Sequence, residues 1–375
     1  MKPPHQVPKM VLTPFPIFPL SFRSLLLAAC LTFTLPIPTA SISCTTFCFQ
    51  HEGQWVFGRN YDWDVEAGFV MVNKRGVVKT SFTEDNPARW KAAYGSVTFN
   101  QYGREMPMGG MNEAGLVIEC MWLNATEYPP VDARHSVTVL QWIQYQLDTA
   151  ASVTDVIASD AKVRISNSRS SPIHFLICDR KGHCASIEYL SGEMVVHTGD
   201  NMPVTALTNN TYQLSREFLE SCHGDETSEA FVSASHSLKR FFWAAQGVSH
   251  YVPGQSLFAV DYAFDILEKV SVGRTQWRVV YDVSSGGIYF RTLSHPEIRY
   301  IDFHAFDFSC DSPVTILDMA SACHGDVSAD FLEYSYKDNY NLIVTSFGQT
   351  DFLQNTPDDT LKWIARYPER FHCDR

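Results

Sequence analysis

Residues 41 to 63 read SISCTTFCFQHEGQWVFGRNYDW. CTTFCFQ and WVFGRNY are rich in β-branched and aromatic residues and read as two strands, with a polar turn at His51–Gln54. A turn centred on Glu52–Gly53 pairs residues whose numbers sum to about 105. Cys44 then faces Tyr61 across the pair, give or take one residue. Arg59 shares the sheet face of Cys44 and lies on the diagonal, within reach of a long side chain. Asp62 falls just past the end of the pairing. If the mature chain begins at Cys44, one sheet end gathers a thiol, an α-amine, a guanidinium and a carboxylate. A thiolate is a nucleophile and a nearby cation lowers its pKa, so a value below about 8.5 is expected for Cys44. An α-amine with a pKa near 8 can serve as the base. The same residues also read as a disulfide partner and a structural Arg59–Asp62 ion pair, and spacing alone leaves both open.

What precedes Cys44 supports the first reading. Arg23 is followed by SLLLAACLTFTLPI, and Ser41 and Ser43 are small residues at the places a signal peptidase requires. Residues 1–43 are therefore expected to be a signal peptide. A rival is LAAC ending at Cys30, which looks like a lipobox and would anchor the chain there. The apolar run is short and broken by proline, so no membrane association is expected after processing, and the destination is secreted or periplasmic. Residues 1–43 carry 3 basic and no acidic residues. Taking those 3 from the 29 basic residues leaves 26 against 41 acidic, a net charge of −15. An acidic surface disfavours nucleic acid and anionic membranes as partners.

The chain has 375 residues and 10 cysteines. Export makes disulfides plausible among Cys48, Cys120, Cys178, Cys184, Cys222, Cys310, Cys323 and Cys373, with a pairing that sequence does not give. SCHGD (221–225) and ACHGD (322–326) resemble a repeated metal motif but lack a CxxC partner, so loops or disulfides are the better reading. No linker or repeat divides residues 44–345, which read as one domain. HFLICDR-KG-HCASIEYL and TQWRVVYDV-SSGG-IYFRTL are further hairpins, the latter with Trp277, Val279 and Tyr281 in alternation. Val137, Leu140, Ile143 and Leu147 recur at helical spacing. Ser152 with Asp155 suggests a capped helix at VTDVIASD, and LKRFFWAAQ and YAFDILEKV read as two more. Hairpins with intervening helices argue an α+β fold built on antiparallel sheets.

Four blocks then point to a family. CTTF with FGRNYDW, GGMNEAGL (109–116), IHFLICDRKGHCASIEYL running into ALTNNTY, and KRFFWAA with TQWRVVYDVSSGGIYFRT occur in order. The set resembles the choloylglycine hydrolase and penicillin V acylase family, linear-amide C–N hydrolases of the N-terminal-nucleophile superfamily. The resemblance implies a four-layer αββα sandwich and no metal or cofactor. It implies Cys44 as nucleophile, Arg59 beside its sulfur and Asp62 binding the α-amine. It implies Asn112 at the oxyanion site, Asn209 holding the amine and oxyanion region, and Arg240 as an outer arginine. Read alone, Asn112 is a turn residue, Asn209 lies in a glycosylation sequon and Arg240 is a solvated helix residue. The interval from Asn209 to Arg240 is shorter than in Gram-positive bile salt hydrolases, where an insertion helps build a tetramer, so a homo-oligomer is allowed but not that one. Residues 346–375 have no clear counterpart and read as a C-terminal extension.

The expected partner is a small-molecule amide. Tyr61, Trp63 and Trp122 lie nearest the motifs and are expected to wall an apolar acyl pocket. Phe241, Phe242 and Trp243 read as core. Two other classes remain: a disulfide-rich secreted binding protein that has lost catalysis, and a papain-like cysteine protease, for which Cys44 lacks the sequence context.

Overall fold

A computed structural model describes residues 43–51, 53–168, 170–252 and 258–374. The signal-peptide and Cys30 expectations lie outside the described residues. The opening hairpin forms in the expected register: β1 (Thr45–His51) and β2 (Gln54–Asp62) pair antiparallel, with Thr46 opposite Arg59 and Cys48 opposite Phe57. From Val56 onward β2 is buried on both faces, because it lies between a second sheet and a helical layer.

The hairpin belongs to a seven-stranded sheet. Its order is Ala206–Leu207, β1, β2, Thr275–Asp282, Gly287–Thr292, Arg299–Asp302 and Gly325–Asp326. Only the last pair, at the edge, is parallel. A nine-stranded antiparallel sheet packs against it, and the strands Ser96–Asn100, Pro107–Asn112, Val117–Trp122 and Ile173–Cys178 lie at its centre. Apolar side chains join the two faces. Phe99 meets Tyr281 and Phe290 edge-on, at ring separations of 6.2 and 5.7 Å.

An ion pair is buried in this seam. Arg59 Nη1 lies 2.8 Å from Glu119 Oε2, and both side chains are fully buried. Tyr281 donates its hydroxyl to Glu119 Oε1 at 2.6 Å. Burial pushes the Glu119 carboxyl up to about 7, and Arg59 and Tyr281 pull against that rise. Gly109 stands opposite Glu119 in the neighbouring strand. A Cβ there would overlap the carboxylate, so the first glycine of GGMNEAGL makes room for a buried charge.

Helices close both outer faces. His236–His250 packs on β1 and Ala259–Lys269 on β2, while Val139–Thr149 covers Pro107–Asn112 of the other sheet. The four layers are those of an αββα sandwich. Val137, counted in the helical pattern, instead ends the short strand His135–Val137, and Thr138 caps the helix by accepting from Gln141 N–H. Trp142, Ile143 and Leu147 form the buried stripe, and Phe241 and Phe242 are core as expected. Ser152 caps the next helix by accepting from Asp155 N–H.

The described residues from 346 to 374 pack into the same body as the rest. The helix Tyr336–Gly348 crosses the expected boundary, and the helix Asp358–Arg366 follows it. The strand His372–Cys373 then pairs with Val77–Thr80, and Cys373 is disulfide-bonded to Cys310. A second disulfide joins Cys178 to Cys184 across a hairpin. Cys44, Cys48, Cys120, Cys222 and Cys323 are free among the described residues.

The buried ion pair yields a test. Glu119→Ala strands the Arg59 guanidinium in the core, so it should cost about 3–5 kcal/mol. Urea unfolding measures this. A loss below about 1 kcal/mol would mean that the seam tolerates an unpaired guanidinium.

Candidate active site

Cys44 immediately precedes β1 at the sheet end and is almost fully buried. Its backbone N–H donates to Asn209 Oδ1 at 2.9 Å, and its sulfur lies 4.0 Å from the Asp62 carbonyl oxygen. Arg240, fully buried, reaches in from the helix His236–His250. Its Nη1 donates to the Cys44 carbonyl and to Thr45 Oγ1, and its Nη2 donates to Asn209 Oδ1 at 2.7 Å. Arg240 is therefore no solvated helix residue. Asn209 Nδ2 donates to the Trp122 carbonyl at 2.9 Å, which ties this end of the first sheet to the second.

The Asn209 segment is held from two sides. Asn209 N–H donates to Ser237 Oγ at 3.0 Å, and Ser237 lies in the first turn of the Arg240 helix. On the other side His174 is buried with Nε2 2.7 Å from the Thr208 carbonyl and Nδ1 3.0 Å from Glu188 Oε1. Glu188 Oε1 also accepts from Tyr212 N–H.

Asp62 is half-satisfied. Its Oδ1 accepts from Thr275 Oγ1 at 2.5 Å, and its buried Oδ2 has no hydrogen-bond partner among the described residues. Burial pushes the carboxyl up to about 6. The Thr275 hydrogen bond and the charges of Arg240, Arg278 and Arg59 oppose the rise. An ionised carboxylate with one free oxygen is a receptor for a cation.

The thiol departs from expectation. Burial pushes Cys44 up to about 11, although Arg59 and Arg240 pull it down. Arg59 falls short for a visible reason. Its Nη1 faces Glu119, its Nη2 donates to the Cys120 carbonyl at 3.2 Å, and its guanidinium lies 4.6 Å from the Tyr61 ring centre. Most of its charge is answered elsewhere, so desolvation of the sulfur wins.

Asn112 is not part of this cluster. Its Nδ2 donates to the carbonyls of Leu147 and Ala150, at 2.9 and 2.8 Å. Its Oδ1 accepts from Ala114 and Leu116 N–H, both at 3.0 Å. All its polar capacity goes to the turn after Pro107–Asn112 and to the end of the helix Val139–Thr149, so it cannot receive an oxyanion. Tyr61 also differs from the wall expected of it. It is 2% exposed, stacks on Trp277 at 4.5 Å and donates its hydroxyl to Gln101 Oε1 at 2.6 Å. Trp63 and Trp122 are half-buried beyond it, 6.1 Å apart, with Trp63 stacked 6.3 Å from Tyr61.

Glu119, Thr275, Ser237 and His174 hold the functional groups but were not singled out from sequence. Glu119 had a signal, since it is the single charge in the apolar run VIECMW. Thr275 and Ser237 had none, because a threonine opening a strand and a serine in a first helical turn are ordinary. Among the described residues, one group of three has metal-ligand spacing, the sulfurs of Cys48, Cys178 and Cys184, and two of these are bonded to each other. The two CHGD segments are not gathered. His223 ends a helix with φ of 48°, and His324 pairs with Glu297 at the surface. Two surface clefts of about 250 and 490 Å³, lined in part by Val77–Glu84 and Arg370–Cys373, share no residue with the Cys44 cluster.

Comparison with known proteins agrees with this geometry. Residues 44–264 match the linear amide C–N hydrolases, choloylglycine hydrolase family, and the chain belongs to that family. The penicillin V acylase of Pectobacterium atrosepticum is 22% identical over 316 residues, 72% of this chain and 83% of that protein. A bile salt hydrolase/transferase of Bifidobacterium longum is 29% identical over 227 residues, 56% of this chain and 69% of the other. The penicillin V acylase structure of Agrobacterium tumefaciens superposes with a TM-score of 0.65 at 23% identity, over 78% of this chain and 98% of the other. A variant conjugated bile acid hydrolase of Clostridium perfringens gives 0.61 at 16%, over 73% and 97%. The fold is thus the N-terminal-nucleophile hydrolase sandwich.

Asn112→Ala separates the two roles assigned to that residue. It should lower unfolding stability by about 1–3 kcal/mol, as lost buried hydrogen bonds do, and leave kcat of the folded enzyme within about twofold. A drop in kcat on the order of 10²-fold, the size of one lost oxyanion donor, would return Asn112 to the reaction.

Proposed function

We propose that this chain hydrolyses a linear, non-peptide amide with Cys44 as an N-terminal nucleophile, once residues 1–43 have been removed. The observation that carries the reading is the unpartnered Asp62 Oδ2 beside a free cysteine whose nitrogen is already held by Asn209. Cleavage before Cys44 turns that nitrogen into an α-amine. The buried sulfur is not ionised by Arg59 alone, so the amine must take its proton. The sulfur then attacks the amide carbonyl. Asn209 Nδ2, which donates one N–H to Trp122, carries a second that serves the oxyanion. The α-ammonium protonates the leaving amine. Water attacks the thioester, the acid departs and the thiol is restored.

Trp63 and Trp122 favour an apolar acyl group. The names of the relatives, penicillin V acylase and bile salt hydrolase, fit amides of that kind. The disulfides Cys178–Cys184 and Cys310–Cys373 suit a secreted or periplasmic protein. Cys44 in a disulfide would favour a binding protein without catalysis, and a papain-like protease would need a histidine base. Neither is present at Cys44 among the described residues.

Cys44→Ala should abolish release of amine from penicillin V, a glycine-conjugated bile salt and a long-chain N-acyl homoserine lactone, whichever the wild type cleaves. A chain with Met-Gly fused before Cys44, confirmed unprocessed by mass, should be inactive although folded. Full activity from it would remove the α-amine from the mechanism. Hydrolysis of unmodified peptides with all three amides intact would point to a protease instead.

Activity should also depend on Asp62 being ionised. That carboxyl, raised to about 6, takes up a proton as pH falls and then cannot hold an ammonium. Protonation of the α-amine base itself sets a first acid limb near about pH 8. Because an adjacent ammonium pulls the Asp62 value down, kcat/KM should steepen further at or below about pH 6. A pH–rate profile should show this lower limb, and Asp62→Asn should give a slower, flatter profile. An unchanged lower limb in Asp62→Asn would assign it to another group.

A further inference from the structure

The family match ends at residue 264, yet a residue far beyond it stands at the acyl side of the site. Phe352 follows the helix Tyr336–Gly348, in the turn before the helix Asp358–Arg366. Its ring centre lies 6.5 Å from that of Trp63, at an interplanar angle of 80°, and 6.3 Å from that of Trp122, at 52°. Trp63 and Trp122 are themselves 6.1 Å apart. The three rings form a nearly equilateral cluster over the strand ends that carry Asp62 and the Asn209-binding carbonyl of Trp122. Phe352 is 59% exposed, so a large apolar ring is left in water beside a buried nucleophile.

The turn that presents this ring is fixed. Leu353 and Gln354 N–H both donate to the Thr350 carbonyl. Thr350 Oγ1 lies 3.0 Å from the Tyr102 hydroxyl, and Phe347 meets Tyr102 edge-on at 5.8 Å. Tyr102 adjoins Gln101, which accepts from Tyr61, so the turn is braced through the floor of the site. Arg104 N–H donates to Asn339 Oδ1, and Asn339 Nδ2 donates to the Ala365 carbonyl, which locks both flanking helices. A rigid, mostly exposed aromatic at this place serves an apolar ligand better than it serves the fold.

We propose that Phe352 is a specificity-determining residue, the third wall of the acyl site, and that it selects acyl groups bearing an aromatic ring. The steep angles between its ring and the two indoles suit a flat ring that stacks on one partner and meets another edge-on. The proposal rests on the reading of Trp63 and Trp122 as acyl-binding. It adds that the C-terminal segment sets substrate choice.

The test uses binding of product acids, so that it stands apart from catalysis. Phenylacetate and hexanoate are titrated against the chain cut before Cys44, with tryptophan fluorescence as the readout. Phe352→Ala should weaken phenylacetate about tenfold, the effect of one lost aromatic contact, and hexanoate less than about threefold. Phe352→Trp should retain phenylacetate affinity. Unaltered phenylacetate affinity in Phe352→Ala, equal losses for both acids, or no saturable phenylacetate binding by the parent chain would each overturn the proposal. Phenylacetate binding that behaves as expected, in a chain that cleaves no amide, would defeat the hydrolase reading and leave Phe352 as an acyl-binding wall.

Discussion

A single amide oxygen organises the site. Asn209 Oδ1 accepts from the backbone nitrogen of Cys44 and from Arg240, while the other end of the same amide holds the Trp122 carbonyl. One side chain thereby fixes the nucleophile's nitrogen, a helix of the outer layer and a strand of the opposite sheet. The reach of an asparagine is short, so all three must lie close together. That is possible only if the two sheets are stacked with their ends in register, and the buried Arg59–Glu119 pair and the glycine opposite it maintain that stacking.

The electrostatics follow from the same constraint. A sulfur placed between two sheets is dry, and desolvation outweighs the cations around it. The two arginines named with it differ in what they do. Arg59 neutralises Glu119 in the seam, whereas Arg240 spends its donors on the backbone and on Asn209. Arg59 is answered by Glu119, whereas Arg240 meets neutral acceptors and keeps its charge beside Cys44 and Asp62. The site has a carboxylate oxygen without a hydrogen-bond donor among the described residues.

Much of this was legible in the sequence. Alternation and a glycine turn placed Cys44, Arg59 and Asp62 at one sheet end, because strand pairing follows a strict period of two. The resemblance added Asn209 and Arg240, which no local pattern could join to Cys44. It also named Asn112, whose side chain the structure engages in the turn it forms and at a helix end, away from Cys44. Its hydrogen bonds are those of a turn residue. Tyr61 was taken for a wall because it ends a strand, but the sheet beyond it continues as Trp277, which buries the ring. Phe352 was invisible for a different reason. Its partners are more than two hundred residues away in the chain, and nothing in VTSFGQTDFLQNT marks one phenylalanine over the other.

The donor-poor Asp62 bears on how acid acts on the molecule. In the uncut chain its carboxyl ionises less readily than in an unfolded one. The stability it contributes is therefore full at low pH and fades as pH climbs through about 6. If a cut before Cys44 places an ammonium against the free oxygen, the carboxylate becomes the favoured form. Its contribution would then be full near neutrality and fade as pH drops. Severing one peptide bond would reverse the sign of the linkage between protons and folding at this residue.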